Sequence, residues 1–264
     1  MVDGIRYAYI EAGKGPLLLF AHGTFGSKET FAPQIARLSH RYHCVSIDLP
    51  GHGSSSHDPR GWGVNDLVRA VPLLITVLGE EKAALAGVSQ GGAVFMRAAL
   101  AYPDKVSALV IMCAGAGNPP PSLMERQREF ARQLRDETDE EARWEAATRF
   151  LASFHAPGFA DAHKESFEAE VTRALSHPRQ AMPLVAEVPA TYAPVFDRLP
   201  QISCPTLVIW GDQDFRPTLG AEIASQIPGA QLCVIRGAGH HVNVDDPQAT
   251  AEAIGEFLGG VLDS

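Results

Sequence analysis

Residues 83–92 have the sequence AALAGVSQGG, in which a short apolar run leads directly into a Gly-x-Ser-x-Gly motif centred on Ser89. Apolar residues at helical spacing follow, from Ala93 to Leu100. A strand, a tight turn and a helix in this order form a nucleophile elbow, which exposes a serine hydroxyl at the carboxyl end of a strand. The Gln90 N–H would then lie at a helix N-terminus, where it can bind an oxyanion. The motif therefore predicts Ser89 as a nucleophile and Gln90 as an oxyanion-hole donor.

Similar apolar runs recur along the chain and predict a mostly parallel sheet. A short continuous apolar run is typical of a strand that is buried on both faces. The runs lie at residues 17–21, 44–47, 83–86, 108–112, 206–210 and 232–235, and an alternating segment at 5–10 predicts one further strand. Helical patterns separate them, the last opening with Asp246 as N-cap and Pro247 in the first turn. Strands that alternate with helices predict a doubly wound α/β fold.

One long segment breaks this alternation. From residue 117 to residue 197 no strand-like run occurs, and apolar residues recur at helical spacing instead. Thr138 to Glu141 has the form of a capping box, which predicts a helix start there. We therefore expect a catalytic core made of residues 1–116 and 198–264, with a helical cap of residues 117–197 inserted into it.

A serine nucleophile needs a base and a carboxylate, and two later loops supply candidates. His240 and His241 follow the last apolar run, and we favour His240 because it comes directly after the flexible Gly239. Asp212 and Asp214 both follow the strand predicted at 206–210. Either carboxylate could orient the imidazole and stabilise the imidazolium that forms, so the residues alone leave this choice open.

The loop after the strand at 17–21 can supply the second oxyanion donor. It begins His22-Gly23-Thr24-Phe25-Gly26, and its glycines allow the backbone to approach a ligand closely. We expect the Thr24 N–H to be the donor, with Phe25 as the alternative. His22 is expected to be structural, because an imidazole at a strand end can hydrogen-bond the backbone of a loop.

Together these motifs resemble the α/β-hydrolase superfamily over essentially the whole chain. The resemblance rests on His22-Gly23, residues 48–55 (DLPGHGSS), the elbow at Ser89, residues 211–214 (GDQD) and Gly239-His240. It implies an α/β-hydrolase fold with a helical cap, and a triad in the chain order Ser, Asp, His. The pattern of the family selects Asp214 over Asp212 and likewise selects His240. His241 departs from the pattern, since relatives often carry an aromatic or apolar residue there.

The resemblance implies hydrolysis of a small carboxylic ester through an acyl-enzyme. A serine nucleophile disfavours the relatives that use an aspartate, such as haloalkane dehalogenases and epoxide hydrolases. Lactone hydrolysis and C–C bond hydrolysis stay open as alternatives on the same fold, as does a receptor that binds a small molecule with slow or no turnover. The substrate pocket is expected between the sheet edge and the cap, lined by Phe25, Phe215 and His241, with Trp144 or Phe154 as candidates from the cap. Arg216 is a candidate for binding an anionic lactone, with a plain surface arginine as the other interpretation.

The composition excludes several classes of partner. The 264 residues include 22 Lys and Arg and 31 Asp and Glu, which gives a formal net charge of −9. This balance disfavours binding to nucleic acid or to anionic lipid, both of which need clustered basic residues. The four cysteines form no C-x-x-C pair, and the chain begins with no signal-peptide pattern. We expect a cytoplasmic enzyme with no metal and no cofactor; the sequence predicts no oligomeric state.

Overall fold

The computed structural model describes residues 1–262, and these form a seven-stranded sheet. The strands are β1 (Tyr9–Ala12), β2 (Leu17–Ala21), β3 (His43–Ile47), β4 (Ala83–Val88), β5 (Val106–Met112), β6 (Thr206–Gly211) and β7 (Gln231–Ile235). Their order in the sheet is β1-β3-β2-β4-β5-β6-β7, with β1 antiparallel to β3 and all other neighbours parallel. The predicted doubly wound, mostly parallel α/β architecture is confirmed.

Helices connect the strands, and several of them pack against the sheet. They are α1 (Ala32–Leu38), α2 (Val64–Val77), α3 (Gln90–Ala101), α4 (Pro121–Asp136), α5 (Glu140–Ala152), α6 (Phe159–Ala162), α7 (Lys164–Leu175), α8 (Met182–Glu187), α9 (Leu219–Gln226), α10 (Val242–Asp245) and α11 (Pro247–Leu262). The main apolar core joins β2, β4, β5 and β6 to residues of α1, α2, α3, α9 and α11. None of the helices within residues 1–262 is both long and apolar enough to cross a lipid bilayer.

All six continuous apolar runs form strands, as predicted, whereas the alternating segment at 5–10 does so only in part. Residues 2 and 5 pair instead in a small turn, with the Val2 N–H donating to the Ile5 carbonyl at 2.9 Å, so β1 begins at Tyr9. The predicted N-cap Asp246 is confirmed, since its Oδ1 accepts the Ala249 N–H at 2.9 Å. Helix α5 is capped by Asp139, whose side chain accepts the Ala142 N–H at 3.0 Å, and not by Thr138.

The chain between β5 and β6 contains helices and loops but no strand in the part that the structure describes. We refer to residues 117–197 as the helical insertion. It has an apolar cluster of its own, which includes Phe130, Phe150, Phe154 and Phe167. Phe25 from the loop after β2 inserts into this cluster, with its ring centre 5.0 Å from that of Phe130. The insertion therefore packs directly onto the carboxyl edge of the sheet.

A buried charged cluster also joins the helical insertion to the loop after β7. His155 Nδ1 contacts Asp245 Oδ1, and His155 Nε2 lies 2.9 Å from Glu170 Oε2. Asp245 Oδ2 accepts the N–H of Ala156 at 2.8 Å and that of Gly239 at 2.6 Å. One carboxylate thus ties the insertion to the residue that precedes His240.

The two carboxylates determine the charge of His155. Burial alone would lower the pKa of His155, but the hydrogen bonds to Asp245 and Glu170 raise it to about 9. His241 adds to the cluster, because its Nδ1 lies 3.0 Å from Glu170 Oε1. Burial would raise the pKa of Glu170, but the neighbouring imidazoles hold it well below its usual range. The cluster is therefore an ion pair network at neutral pH, with a protonated His155 between two carboxylates.

Truncation of Leu85 tests the contribution of the central strand. Leu85 lies in the middle of β4 and is fully buried. Leu85→Ala should lower the free energy of unfolding by about 2–5 kcal/mol, because it removes transfer energy and leaves a cavity. Val77→Ala is the matched control, since Val77 is 63% exposed at the end of α2 and should change stability by less than about 0.5 kcal/mol. Urea unfolding measures both, and equal effects would contradict this assignment of the core.

The charged cluster predicts a pH-dependent contribution to stability. The raised pKa of His155 means that its contribution is fully present below pH 6.5 and is lost as the pH rises through about 9. His155→Gln should therefore be less stable than the wild type at pH 6.5, and the gap should narrow at pH 10 by about 3 kcal/mol. Urea unfolding of both proteins at pH 6.5 and pH 10 measures the difference in their free energies of unfolding at each pH. A gap that does not vary with pH would show that His155 is not held as a cation.

Candidate active site

Ser89 lies on a sharp turn between β4 and α3. Its backbone has φ 51° and ψ −114°, a region that residues other than glycine enter only under constraint. The turn is tight enough that a Cβ added to Gly87 would lie 2.4 Å from the Gly91 carbonyl carbon, so the motif needs glycine there. The Ser89 N–H still donates to the Met112 carbonyl at 2.9 Å, and this bond holds the turn against the strand β5. The predicted strand, turn and helix order is thus present.

The turn lies where the strand order of the sheet reverses. Strand β3 lies on one side of β2, and the next strand in the sequence, β4, lies on the other side. In open α/β sheets, ligands bind outside the carboxyl ends of the strands at the point where the strand order reverses. The Gly91 N–H donates to the His22 carbonyl at 3.0 Å and joins the two loops that flank this point. Thr24 and Ser89 therefore come together, as the sequence predicts, and both line one cavity.

His240 and Asp214 form a buried pair beside this cavity. His240 Nδ1 donates to Asp214 Oδ2 at 2.6 Å, and Asp214 Oδ1 accepts the Arg216 N–H at 2.7 Å. Asp212, the other candidate carboxylate, is exposed and accepts the Gly237 N–H at 2.7 Å instead. Because Nδ1 is bound to Asp214, Nε2 is the nitrogen of His240 that is free to serve a hydroxyl. Ser89 and His240 line the same cavity, though within residues 1–262 no hydrogen bond joins Ser89 Oγ to the ring.

The surroundings of this pair set the ionisation of both groups. Burial lowers the pKa of His240 below its ordinary value, against the opposing effect of the Asp214 carboxylate. Burial would raise the pKa of Asp214, but the hydrogen bond and charge of His240 bring it below its usual value. Phe154 and Phe215 contribute to the burial, with ring centres 5.5 Å and 4.8 Å from that of His240. At neutral pH the pair therefore consists of a neutral imidazole and an ionised carboxylate.

Two neutral imidazoles fix the position of Phe25 in the loop after β2. His52 Nε2 accepts the Phe25 N–H at 3.1 Å, and His177 Nε2 donates to the Phe25 carbonyl at 2.9 Å. Phe25 itself has φ 63°, so these bonds hold a strained backbone. The bond to His52 also occupies the Phe25 N–H. Of the two candidates for the second oxyanion donor, Thr24 is therefore the one whose N–H has no partner within the described chain.

His22 is bound to backbone at both ring nitrogens, as expected for a structural residue. Nε2 accepts the Leu49 N–H at 3.0 Å and Nδ1 donates to the Gly23 carbonyl at 2.7 Å. Burial lowers the pKa of His22 to about 4 and also lowers those of His52 and His177. All three rings are therefore neutral at pH 7, and each can accept one hydrogen bond and donate another.

The cavity at Ser89 is small and has walls from both parts of the chain. The sheet edge contributes Thr24, Ser89, Gln90, Gly115, Arg216 and His240, and the helical insertion contributes Leu123, Gln127, Phe154 and Tyr192. Its volume is about 40 Å³. Sites for small organic ligands typically measure about 300–1,000 Å³. A substrate can therefore enter only if part of the wall moves.

Of the residues expected to line the pocket, Phe154 lies in the cavity wall and the others do not. Phe25, Phe215, His241 and Trp144 are not among the described residues that line this cavity. Phe25 points into the apolar cluster of the insertion, where Trp144 also packs, and His241 turns towards Glu170. Phe215 covers the outer side of His240 and is 45% exposed.

Among the polar lining residues, Gln127 and Tyr192 are not predicted from the sequence, and Arg216 is predicted only as one of two interpretations. Gln127 and Tyr192 come from the helical insertion, and their place in the cavity depends on contacts between distant segments that no local pattern records. Arg216 was recognisable from its position two residues after Asp214, and the structure places it in the cavity wall and not on the open surface.

A larger groove of about 490 Å³ lies elsewhere, between the N-terminal segment and α2. Its walls include Tyr7, Trp62 and the ion pair of Asp66 with Arg69. None of the predicted site residues lines it. Size alone therefore does not identify the site, and the chemistry of the side chains favours the cavity at Ser89.

Comparison with known proteins finds relatives and similar structures among hydrolases. The chain is 27% identical to the 2-(acetamidomethylene)succinate hydrolase of Mesorhizobium japonicum over 255 residues, which cover 94% of this chain and 90% of the relative. A thermophilic esterase from Thermogutta terrifontis, solved with malate bound, superposes with a TM-score of 0.88 at 28% identity, covering 97% of this chain and 94% of the esterase. The enol-lactonase of Burkholderia xenovorans superposes with a TM-score of 0.85 at 22% identity, covering 97% of this chain and 98% of the lactonase. This similarity shows the shared fold.

The family match covers nearly all of the elements described above. The model of the alpha/beta hydrolase family matches residues 18–253, which run from β2 into the last helix and include the elbow at Ser89 and the His240–Asp214 pair. The chain therefore belongs to the alpha/beta hydrolase family.

Proposed function

We propose that this protein is a serine hydrolase that cleaves small carboxylic esters, with Ser89 as nucleophile, His240 as general base and Asp214 as its orienting carboxylate. The observation that carries the proposal is the buried 2.6 Å contact of His240 Nδ1 with Asp214, beside the cavity that Ser89 lines from a strained turn. The relatives include an esterase and a hydrolase of 2-(acetamidomethylene)succinate, which supports hydrolysis as the reaction.

The first half of the reaction forms an acyl-enzyme. His240 Nε2 takes the proton of Ser89 Oγ as the oxygen attacks the ester carbonyl, and Asp214 stabilises the resulting imidazolium. The tetrahedral intermediate collapses, the imidazolium gives its proton to the departing alkoxide, and an alcohol leaves. The contact between Ser89 Oγ and His240 has to form when the substrate binds, since catalytic hydrogen bonds often tighten only in the complex.

Two backbone donors fit the developing oxyanion. The Gln90 N–H opens α3, where the unpaired donors and the helix dipole favour negative charge. The Thr24 N–H comes from the loop after β2, whose position is fixed by the imidazoles that hold Phe25. Neither donor is a charged group, and a single such donor is worth about 10²–10³ in rate.

The second half returns the enzyme to its starting state. Water attacks the acyl carbonyl while His240 Nε2 takes one of its protons, and the tetrahedral intermediate breaks down to release the carboxylic acid. The proton on His240 passes to Ser89 Oγ as the acyl bond breaks. No group other than the triad, the two N–H donors and water is needed.

The helical insertion is proposed to act as the cap of this site. It supplies Leu123, Gln127, Phe154 and Tyr192 to the wall, and the volume of about 40 Å³ is too small for an ester unless these residues move. Closure over a bound ester would exclude water from the pair His240 and Asp214 and so strengthen the electrostatic interactions there.

Ser89→Ala tests the nucleophile. Hydrolysis of 4-nitrophenyl acetate should fall by at least about 10³-fold, because no other group can form the acyl-enzyme. Ser225→Ala is the control, since Ser225 is exposed and donates only to the Glu222 carbonyl at 2.7 Å. Turnover by Ser89→Ala at the wild-type rate would overturn the assignment. No turnover by the wild type across esters and lactones of graded length, with binding still measurable, would instead indicate a receptor.

The pH profile tests the base and its carboxylate. His240 must be neutral to accept a proton, and its pKa is lowered, so kcat/KM should rise along an acid limb with its midpoint below 6.5 and be level at pH 7–8. Asp214→Asn removes the group that raises the pKa of His240, so the limb should move further towards low pH. The rate itself should fall by about 10⁴-fold as the imidazole loses its orientation.

Asp212→Asn is the matched control for that substitution. Asp212 is exposed and binds only the Gly237 N–H and the Gln213 side chain. This variant should therefore keep the pH dependence of the wild type and a rate within about threefold of it. A large loss in Asp212→Asn with little change in Asp214→Asn would reverse the assignment of the carboxylate.

A further inference from the structure

Arg216 contributes a guanidinium group without a carboxylate partner to the wall of the cavity. Its backbone N–H donates to Asp214 Oδ1, but within residues 1–262 no carboxylate lies within ion-pair distance of the side chain, and Nε has no hydrogen-bond partner. The group lies over the Phe215 ring, 5.1 Å from its centre. A Cβ added to the cavity residue Gly115 would lie 3.0 Å from Arg216 Nη1, which places the guanidinium at the cavity wall.

Three further polar side chains in the same cavity are buried and incompletely paired. Neither amide atom of Gln90, nor Gln127 Oε1, nor the Tyr192 hydroxyl has a hydrogen-bond partner within the described chain. All three residues are at least 93% buried, with exposures of 3%, 6% and 7%. A buried polar atom without a partner costs about 1–3 kcal/mol, so such a group is retained when a ligand or water completes it.

The charges around the cavity favour an anionic group over a neutral polar one. Burial lowers the pKa of Arg216 and raises that of Tyr192, but a guanidinium stays protonated in proteins and the phenol keeps its proton as a donor. Asp214 is already bound to His240 and does not line the cavity. The wall therefore offers one fixed positive charge and a hydroxyl donor, a combination that matches a carboxylate.

We infer that Arg216 determines specificity for small esters or lactones that carry a free carboxylate, with the Tyr192 hydroxyl as a second hydrogen-bond donor to the anion. This inference rests on the proposed function, since it names the substrate class of the same site. It assigns Arg216 a binding role, distinct from any effect of its charge on the neighbouring Asp214 and His240.

Esters of matched length, in which an ethyl group replaces the carboxylate, test the inference. Monoethyl succinate and ethyl pentanoate place the carboxylate or its neutral counterpart on the acyl side, and acetoxyacetate and propyl acetate do so on the alcohol side. The wild type should prefer the anionic member of at least one pair by kcat/KM. Arg216→Gln should lower kcat/KM for that anionic ester by about 10–100-fold, mainly through KM, and for its neutral partner by less than about threefold. Arg216→Lys should lie between, because the charge stays but the bidentate geometry is lost.

Arg236→Gln controls for the change in net charge. Arg236 is exposed just after β7 and does not line the cavity, so this variant should keep the wild-type preference. Equal losses for anionic and neutral esters in Arg216→Gln would show that Arg216 acts through Asp214 and His240, and would overturn the inference. The absence of a preference in the wild type for either pair would overturn it as well.

Binding to the Ser89→Ala variant separates this inference from the proposed function. Calorimetry should detect monoethyl succinate or acetoxyacetate on Ser89→Ala, and the added Arg216→Gln substitution should weaken binding by about 10–100-fold. If the wild type hydrolyses no ester while this difference is found, the proposed function fails and the anion site stands. If turnover depends on Ser89 while Ser89→Ala binds anionic and neutral esters equally, the inference alone fails.

Discussion

The backbone of Ser89 is held in a conformation that a residue with a side chain avoids, and the rest of the site depends on that constraint. The strain is sustained because the turn is fixed on two sides, by the Ser89 N–H bond to the Met112 carbonyl and by the Gly91 N–H bond to the His22 carbonyl. Those bonds join β4 and α3 to the neighbouring strands β5 and β2. The sheet thus positions the hydroxyl of Ser89 and the N–H of Gln90 together, since both belong to the same turn.

The loop after β2, which faces the elbow, is held by hydrogen bonds to two imidazoles. The Phe25 N–H donates to His52 Nε2, and the Phe25 carbonyl accepts a hydrogen bond from His177 Nε2. Only neutral rings can both accept and donate in this way, and burial keeps their pKa values low. His177 belongs to the helical insertion, so the insertion supports the position of the loop that carries Thr24 as well as covering the cavity. The loop that carries Thr24, a proposed oxyanion donor, is therefore structurally connected to the proposed cap.

The sequence predicts the parts of the molecule that depend on local pattern. Strands β2 to β6 are recognisable because both faces are buried and the runs are continuous, and the elbow is recognisable because its geometry requires glycine around Ser89. The run at 232–235 also forms a strand, but β7 lies at the edge of the sheet, so Leu232 and Val234 are exposed and not buried as the run predicts. The cavity walls were harder to predict. Phe25 was expected to face substrate, but the bonds to its backbone turn the ring into the insertion, and Tyr192 reaches the cavity through contacts between segments far apart in sequence. Those positions depend on tertiary packing, which no spacing rule encodes.

The protein has a net charge of −9, yet the cavity wall carries the positively charged Arg216. The distance over which charges act explains the contrast. Exposed charges are largely screened beyond about 8 Å at physiological ionic strength, so the acidic surface contributes little to the potential next to Ser89. Inside the cavity the dielectric is lower, so charges there act more strongly: Arg216 lies in the wall, and the ionised Asp214 lies behind His240. The overall composition could exclude partners such as nucleic acid, which bind over large surfaces. It carries no information about a ligand that contacts a single, partly buried arginine, and that information lies in the side chains around Ser89.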